Sequence, residues 1–152
     1  MGLKEILHSD LTDAIRSRDE LKSGTIRMVL TAITNEEVSG KSARTLTEEE
    51  IITVLSREAK KRREAAEAFS DGGRLDRAER EKLEGEFIIT YLPVQLSESE
   101  IKQLIADAIT ETGASGPAGM GQVMKVISPK IAGKADGGTV SALVKAALTG
   151  GN

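Results

Sequence analysis

Few side chains in this sequence could do nucleophilic or metal chemistry. The chain has no cysteine and one histidine, His8, so disulfides, zinc–thiolate sites and a cysteine nucleophile are excluded. His8 has no nearby triad partner or second metal ligand and reads as a surface histidine on a helix. Acids such as Glu36 with Glu37, and Glu48 to Glu50, sit where carboxylates support helix N-termini or coat a solvated face. General acid–base work would need a pocket to perturb them. We therefore expect no catalytic residue, no cofactor and no metal.

The bases are more informative. Lys60, Lys61, Arg62 and Arg63 form a consecutive run that could be a phosphate patch, but on a helix four neighbours fan around the axis. Glu58, Glu64 and Glu67 lie four residues from Arg62, Lys60 and Arg63, so a solvated, self-paired face is the competing reading. Arg62 or Arg63 could also bury its stem and meet Glu81 or Glu84 of the next helix. From Gly116 onward four lysines, Lys125, Lys130, Lys134 and Lys145, face a single acid, Asp136, a local charge of +3 in a chain of −3 overall. Glycines beside lysines, Gly121 and Gly133, let a phosphate backbone approach the main chain, and open helix N-termini would add to the attraction. Aromatic stacking platforms are absent from this segment, which points to backbone or shape reading of a folded RNA. Glycine for tight packing and lysine for solubility explain the same pattern equally well.

The elements that would carry these residues are helices. Aromatics are only 2% of the chain while hydrophobic residues are 39%, so aliphatic side chains must fill the core, which suits helix-on-helix packing. Spacings of three and four predict helices over residues 3–19 and 25–38. Thr47 with Glu50 is a capping box opening a long helix that Gly72-Gly73 stops, and a fourth helix from Leu75 ends before Pro93. Ser97 with Glu100 opens a fifth. Two short helices follow, one on Met120, Val123, Met124 and Ile127 ended by Pro129, the other on Val140, Leu143, Val144 and Leu148 ended by Gly150. The expected fold is all-α: an N-terminal bundle of about four helices, residues 1–95, and a C-terminal three-helix tail module, residues 96–152. No apolar leader or membrane-spanning run is present, which predicts a cytoplasmic protein with no membrane partner.

Gly121-Gln122-Val123-Met124-Lys125, then Gly133-Lys134-Ala135, then Val140 and Leu143, resemble the tail domain of the B subunit of the tRNA-dependent glutamyl/aspartyl amidotransferase. The seven residues Val126 to Ala132 between the two glycine–lysine elements make this spacing longer than in that subunit. Over nearly its full length the chain resembles the YqeY-like proteins, through Arg27-Met28, Asn35-Glu36, Lys60 to Arg63, Gly73-Arg74, Asp76, Ala78, Glu81, Glu84 and Tyr91-Leu92-Pro93. The resemblance implies tRNA as partner, with an aminoacyl-tRNA synthetase or amidotransferase subunits beside it, and a link to carbon–nitrogen ligation with glutamine as amide donor. No glutaminase or kinase segment accompanies it. The leading expectation is a tRNA-binding or tRNA-presenting accessory protein, in which Lys125, Lys130, Lys134, Lys145, Gly121 and Gly133 contact tRNA and Lys60 to Arg63 form a secondary basic patch. A protein–protein adaptor is the alternative, and an enzyme using an unrecognised carboxylate site is a third.

Overall fold

The computed structural model describes residues 1–150. Every regular element among them is helical: α1 (Leu3–Arg16), α2 (Glu20–Glu37), α3 (Glu48–Asp71), α4 (Leu75–Ile89), α5 (Glu98–Thr112), a 3-10 turn (Pro117–Gly119), α6 (Met120–Ile131) and α7 (Gly137–Leu148). The chain divides into two compact units, Met1–Leu92 and Pro93–Asn152. The connector after Leu92 belongs to the second unit because its polar groups are satisfied there: the Leu96 N–H donates to the Lys134 carbonyl at 2.9 Å, and the Gln95 amide to the Gly133 carbonyl at 2.8 Å. Gly151 and Asn152, the end of the expected tail module, lie outside the described residues.

In the first unit the helical stripes meet in a core of Leu7, Ile26, Val29, Ile33, Leu46, Ile51, Val54, Leu55, Ala59 and Ile88. Two boundaries differ from the sequence expectation. α1 stops at Arg16, and Arg18 then takes a left-handed φ of 58°. α2 begins at Glu20, because the Asp19 carboxylate caps it by accepting from the Lys22 N–H at 3.0 Å. It then runs through Gly24, whose cost of about 1 kcal/mol in a helix interior is small beside the burial of Ile26, Val29 and Ile33 at roughly 1.5–3 kcal/mol each.

The Thr47–Glu50 capping box forms with both bonds in place. α3 and α4 pack closely around Gly85, where an added Cβ would lie 3.2 Å from the Arg62 Cβ and 3.7 Å from the Ala59 carbonyl. Just beyond α4 the Tyr91 hydroxyl donates to Asp10 of α1 at 2.5 Å, tying the end of the unit to its first helix.

The second unit has its own core of Ile101, Ile105, Ala108, Val123, Ile127, Ile131, Val140, Val144 and Leu148, with Met120, Met124 and Leu143 packed against it. The Ser97–Glu100 capping box opens α5, and Gly113 at φ 66° closes it. Pro129 does not end α6. It removes only its own N–H, and the helix continues to Ile131, 4% exposed, which completes the buried stripe of Val123 and Ile127. Gly133 at φ 72° then turns the chain.

Candidate nucleic-acid interface

The four lysines of the tail segment are all exposed, and among the described residues none forms an ion pair with an acid. Their backbone positions are not equivalent. At about 100° per residue, Gly121, Lys125 and Ser128 share an exposed face of α6 turned away from the buried Val123, Ile127 and Ile131. Lys130 lies about 140° around the helix from Lys125, at the flank of the buried stripe. Lys134 sits in the turn after α6, its N–H donating to the Ile131 carbonyl at 2.8 Å and its own carbonyl accepting from Leu96. Lys145 occupies the last turn of α7, as Lys130 does of α6, where a cation also complements the C-terminal end of a helix dipole. The geometry thus brings Gly121 and Lys125 together on one outward face. Lys130 and Lys145 have a structural use as well.

The glycines separate in the same way. Gly133 needs its left-handed φ, and Gly119 is buried where a Cβ would come 2.7 Å from the Ala114 Cβ, so both serve the fold. Gly121 has helical geometry, is exposed, and would place an added Cβ in open space, with nothing within 4 Å. No steric or conformational demand of the fold requires glycine there. The N-terminus of α6 carries no side-chain cap and no acid in its first turn, and the sequence from Thr112 to Ala135 contains no acid at all. The N-terminus of α7 is different. Asp136 fills it, accepting from the Thr139 N–H at 3.0 Å and the Thr139 hydroxyl at 2.9 Å, so it offers no open anion site.

The charge of +3 in the tail segment is balanced inside its own unit, because α5 brings Glu98, Glu100, Asp107 and Glu111 against Lys102. The unit as a whole is neutral, with cations on the α6 and α7 side of the sequence and acids on α5. Its attraction for an anion is therefore local to a face.

The run Lys60 to Arg63 is dispersed by its own helix. Arg62 turns inward and meets Glu81 at 3.0 Å and Glu84 at 3.9 Å, the inter-helix pairing its position beside Ala59 and Ala66 anticipates. Lys61 pairs with the buried Glu58 at 3.0 Å and Lys60 with Glu64 at 4.0 Å; Arg63 is engaged too. The run mainly clamps α3 to α4 and to its own acids.

One cleft escaped sequence reasoning. Asp10, Asp13, Ser17, Lys22, Phe87 and Tyr91 line a hollow of about 370 Å³ in the first unit. Its polar groups are already used internally: Asp10 by Tyr91, Asp13 by Arg16 at 3.8 Å, and Lys22 over the Phe87 ring at 5.9 Å. Burial first, then the Asp10 hydrogen bond and charge, push the Tyr91 phenol above its ordinary range. A separation of 81 residues between Tyr91 and Asp10 leaves no local pattern to read. The Glu50 and Glu37 carboxylates are displaced, both downward. Arg44 and the Thr47 N–H hold Glu50 at about 2, and the Lys4 hydrogen bond, against some desolvation, lowers Glu37. Lowered carboxylates are suited to ion pairing rather than proton donation. No helix among the described residues is long and apolar enough to cross a membrane, and no three of their His, Cys, Asp or Glu side chains are grouped to hold a metal ion.

An all-helical fold of two small units, with its unpaired tail cations on one, defines the class. The chain belongs to the YqeY-like family, whose model matches residues 4–148. It is 34% identical over 114 residues to the Altered inheritance of mitochondria protein 41, mitochondrial, of Lachancea thermotolerans, covering 73% of this chain and 60% of that protein. The protein of the same name in Clavispora lusitaniae is 33% identical over 135 residues, 86% of this chain and 77% of its own length. A Schizosaccharomyces pombe protein described as uncharacterized is 30% identical over 97 residues, 63% of this chain and 76% of its own. The chain thus spans about three fifths of the first of these relatives. The names of the first two overturn the cytoplasmic expectation, since they place those relatives in mitochondria. That expectation rested on the absence of an apolar leader, which bears on secretion only; mitochondrial transit sequences are amphipathic and rich in Arg and Ser.

Proposed function

We propose that this protein binds a folded RNA of the tRNA class through the outer face of α6, as an accessory factor in tRNA-dependent amide transfer or a related step of translation. Gly121 and Lys125 stand at the centre of the contact, Lys130, Lys134 and Lys145 supply further charge, and Gly133 shapes the turn. The observation that carries the reading is the coincidence on one helix face, within an acid-free stretch of sequence, of an unpaired lysine and a helical glycine with no role in packing. A guanidinium or ammonium gives phosphate affinity, and a bare glycine lets a backbone come within contact of the main chain. In the compartment named for its relatives, the partner would be an organellar tRNA. Gel-shift titration against total tRNA at several salt concentrations tests it: affinity should fall steeply with salt, and undetectable or salt-independent binding refutes it.

A second reading, an adaptor for a synthetase or amidotransferase, is favoured by an apolar groove of about 430 Å³ along α5 and α7, lined by Ile105, Ile109, Leu143 and Ala147. An exposed apolar groove accepts an amphipathic helix. A protein partner retained after ribonuclease treatment supports this reading, and one lost with the RNA supports the first.

A further inference from the structure

The first unit is rich in acids, yet the sequence from Leu21 to Asn35 in α2 contains none. Gly24, Arg27, Thr31, Thr34 and Asn35 are all exposed and recur at helical spacing, on the face opposite the buried Ile26, Val29 and Ile33. Glu20, at the first residue of the helix, marks the near end of this face. Arg27 makes no ion pair among the described residues, whereas Arg44, Arg57, Arg62 and Arg80 of the same unit each hold a carboxylate. Gly24 is exposed and helical, with nothing within 4 Å of an added Cβ, so packing does not require it. Thr34 and Asn35 keep their side-chain donors unused among the described residues, while the Thr31 hydroxyl donates to the Arg27 carbonyl at 2.9 Å and can still accept.

We infer that this face of α2 is a second contact surface for the phosphate–sugar backbone of a folded RNA, so that the first unit takes part in binding as well as the tail; the inference rests on the function proposed above. The order glycine, base, hydroxyl at Gly24, Arg27 and Thr31 repeats that of Gly121, Lys125 and Ser128 on α6, where Gly121 is likewise exposed and helical with nothing within 4 Å of an added Cβ. Guanidinium, hydroxyl and amide groups are the side chains that bond phosphate and sugar oxygens. The exposed positions of the face carry no aromatic or large aliphatic anchor of the kind a protein partner uses, and Met28 at its edge is half-buried against the core, which favours RNA over a docked helix.

The test is titration of the full-length chain with total tRNA, comparing wild type with Arg27→Glu, Gly24→Ala and Lys125→Glu, with helicity checked by circular dichroism. Arg27→Glu should weaken binding about tenfold and reduce the salt slope by roughly one phosphate contact. Gly24→Ala should raise the thermal midpoint and still weaken binding, a combination that a purely structural role cannot give. Wild-type affinity in Arg27→Glu, alongside weakened binding in Lys125→Glu, overturns this inference alone. Failure of the wild type to bind overturns the proposed function with it.

Discussion

Replacing Arg62 by Met tests whether the run Lys60 to Arg63 is structural. The Arg62 side chain is 21% exposed, and it holds Glu81 and Glu84, 17% and 15% exposed, at 3.0 and 3.9 Å. Charges at that separation attract by about 4 kcal/mol at an effective dielectric near 20, and desolvation cancels much of it. Exposed pairs are worth about 0–1 kcal/mol and breaking a buried pair costs about 3–5; this one lies between. Met preserves most of the stem that packs beside Gly85 but takes from Glu81 its Arg62 partner and leaves Glu84 with Arg80 alone, at 3.1 Å. The expected loss is about 2 kcal/mol, read by urea unfolding followed by circular dichroism. Adding Glu81→Gln to Arg62→Met should recover part of the loss by removing the charge that Arg62 had held. A loss below roughly 0.5 kcal/mol, the level of a surface pair, refutes the clamp. Weakened tRNA binding with unchanged stability would return Arg62 to a binding patch.

Gly121→Ala should stabilise the second unit by about 0.5 kcal/mol, since its backbone is helical and the added methyl meets nothing, while tRNA affinity falls; a parallel gain in both would remove Gly121 from the interface. Glu50 is held at about 2 in the folded chain, below its unfolded value near 4.3. Its contribution is therefore complete above the unfolded value and fades as pH falls towards 2, so the stability of Glu50→Gln, read by urea unfolding, should change less over that window than that of wild type. Tyr91 is the only tyrosine, so phenolate absorbance reports it alone. Ionisation should begin above the usual pH for tyrosine, because burial and Asp10 oppose it; the stability tied to the neutral phenol is present below about 10 and is lost as pH rises through the folded value. Tyr91→Phe should cost roughly 1 kcal/mol in urea unfolding, and no loss would show that the Asp10 bond is incidental.

The fold was legible because apolar side chains recur at helical spacing and because Thr47 with Glu50 and Ser97 with Glu100 announce two helix starts, both formed with their reciprocal bonds. The errors came from local rules overruled by packing. Pro129 looks like a break, yet burial of Ile131 on its far side carries the helix through it, and α2 starts at Glu20 rather than residue 25 because Asp19 caps it there. Within the candidate site, the exposure of Lys125, Lys130, Lys134 and Lys145 followed from their type. The different duties of Gly119, Gly121 and Gly133 did not, since a packing contact, an open face and a left-handed turn all read as glycine. Asp136 as a cap was equally hidden, because only the structure shows it accepting from the Thr139 N–H and hydroxyl.

The most direct measurement of the central claim is the dependence of tRNA affinity on salt for wild type and Lys125→Gln. The account predicts that log affinity falls linearly with log salt concentration, and that the slope drops by about one phosphate contact in the variant, with helicity unchanged. Identical slopes for the two proteins, or no binding at low salt, would contradict it.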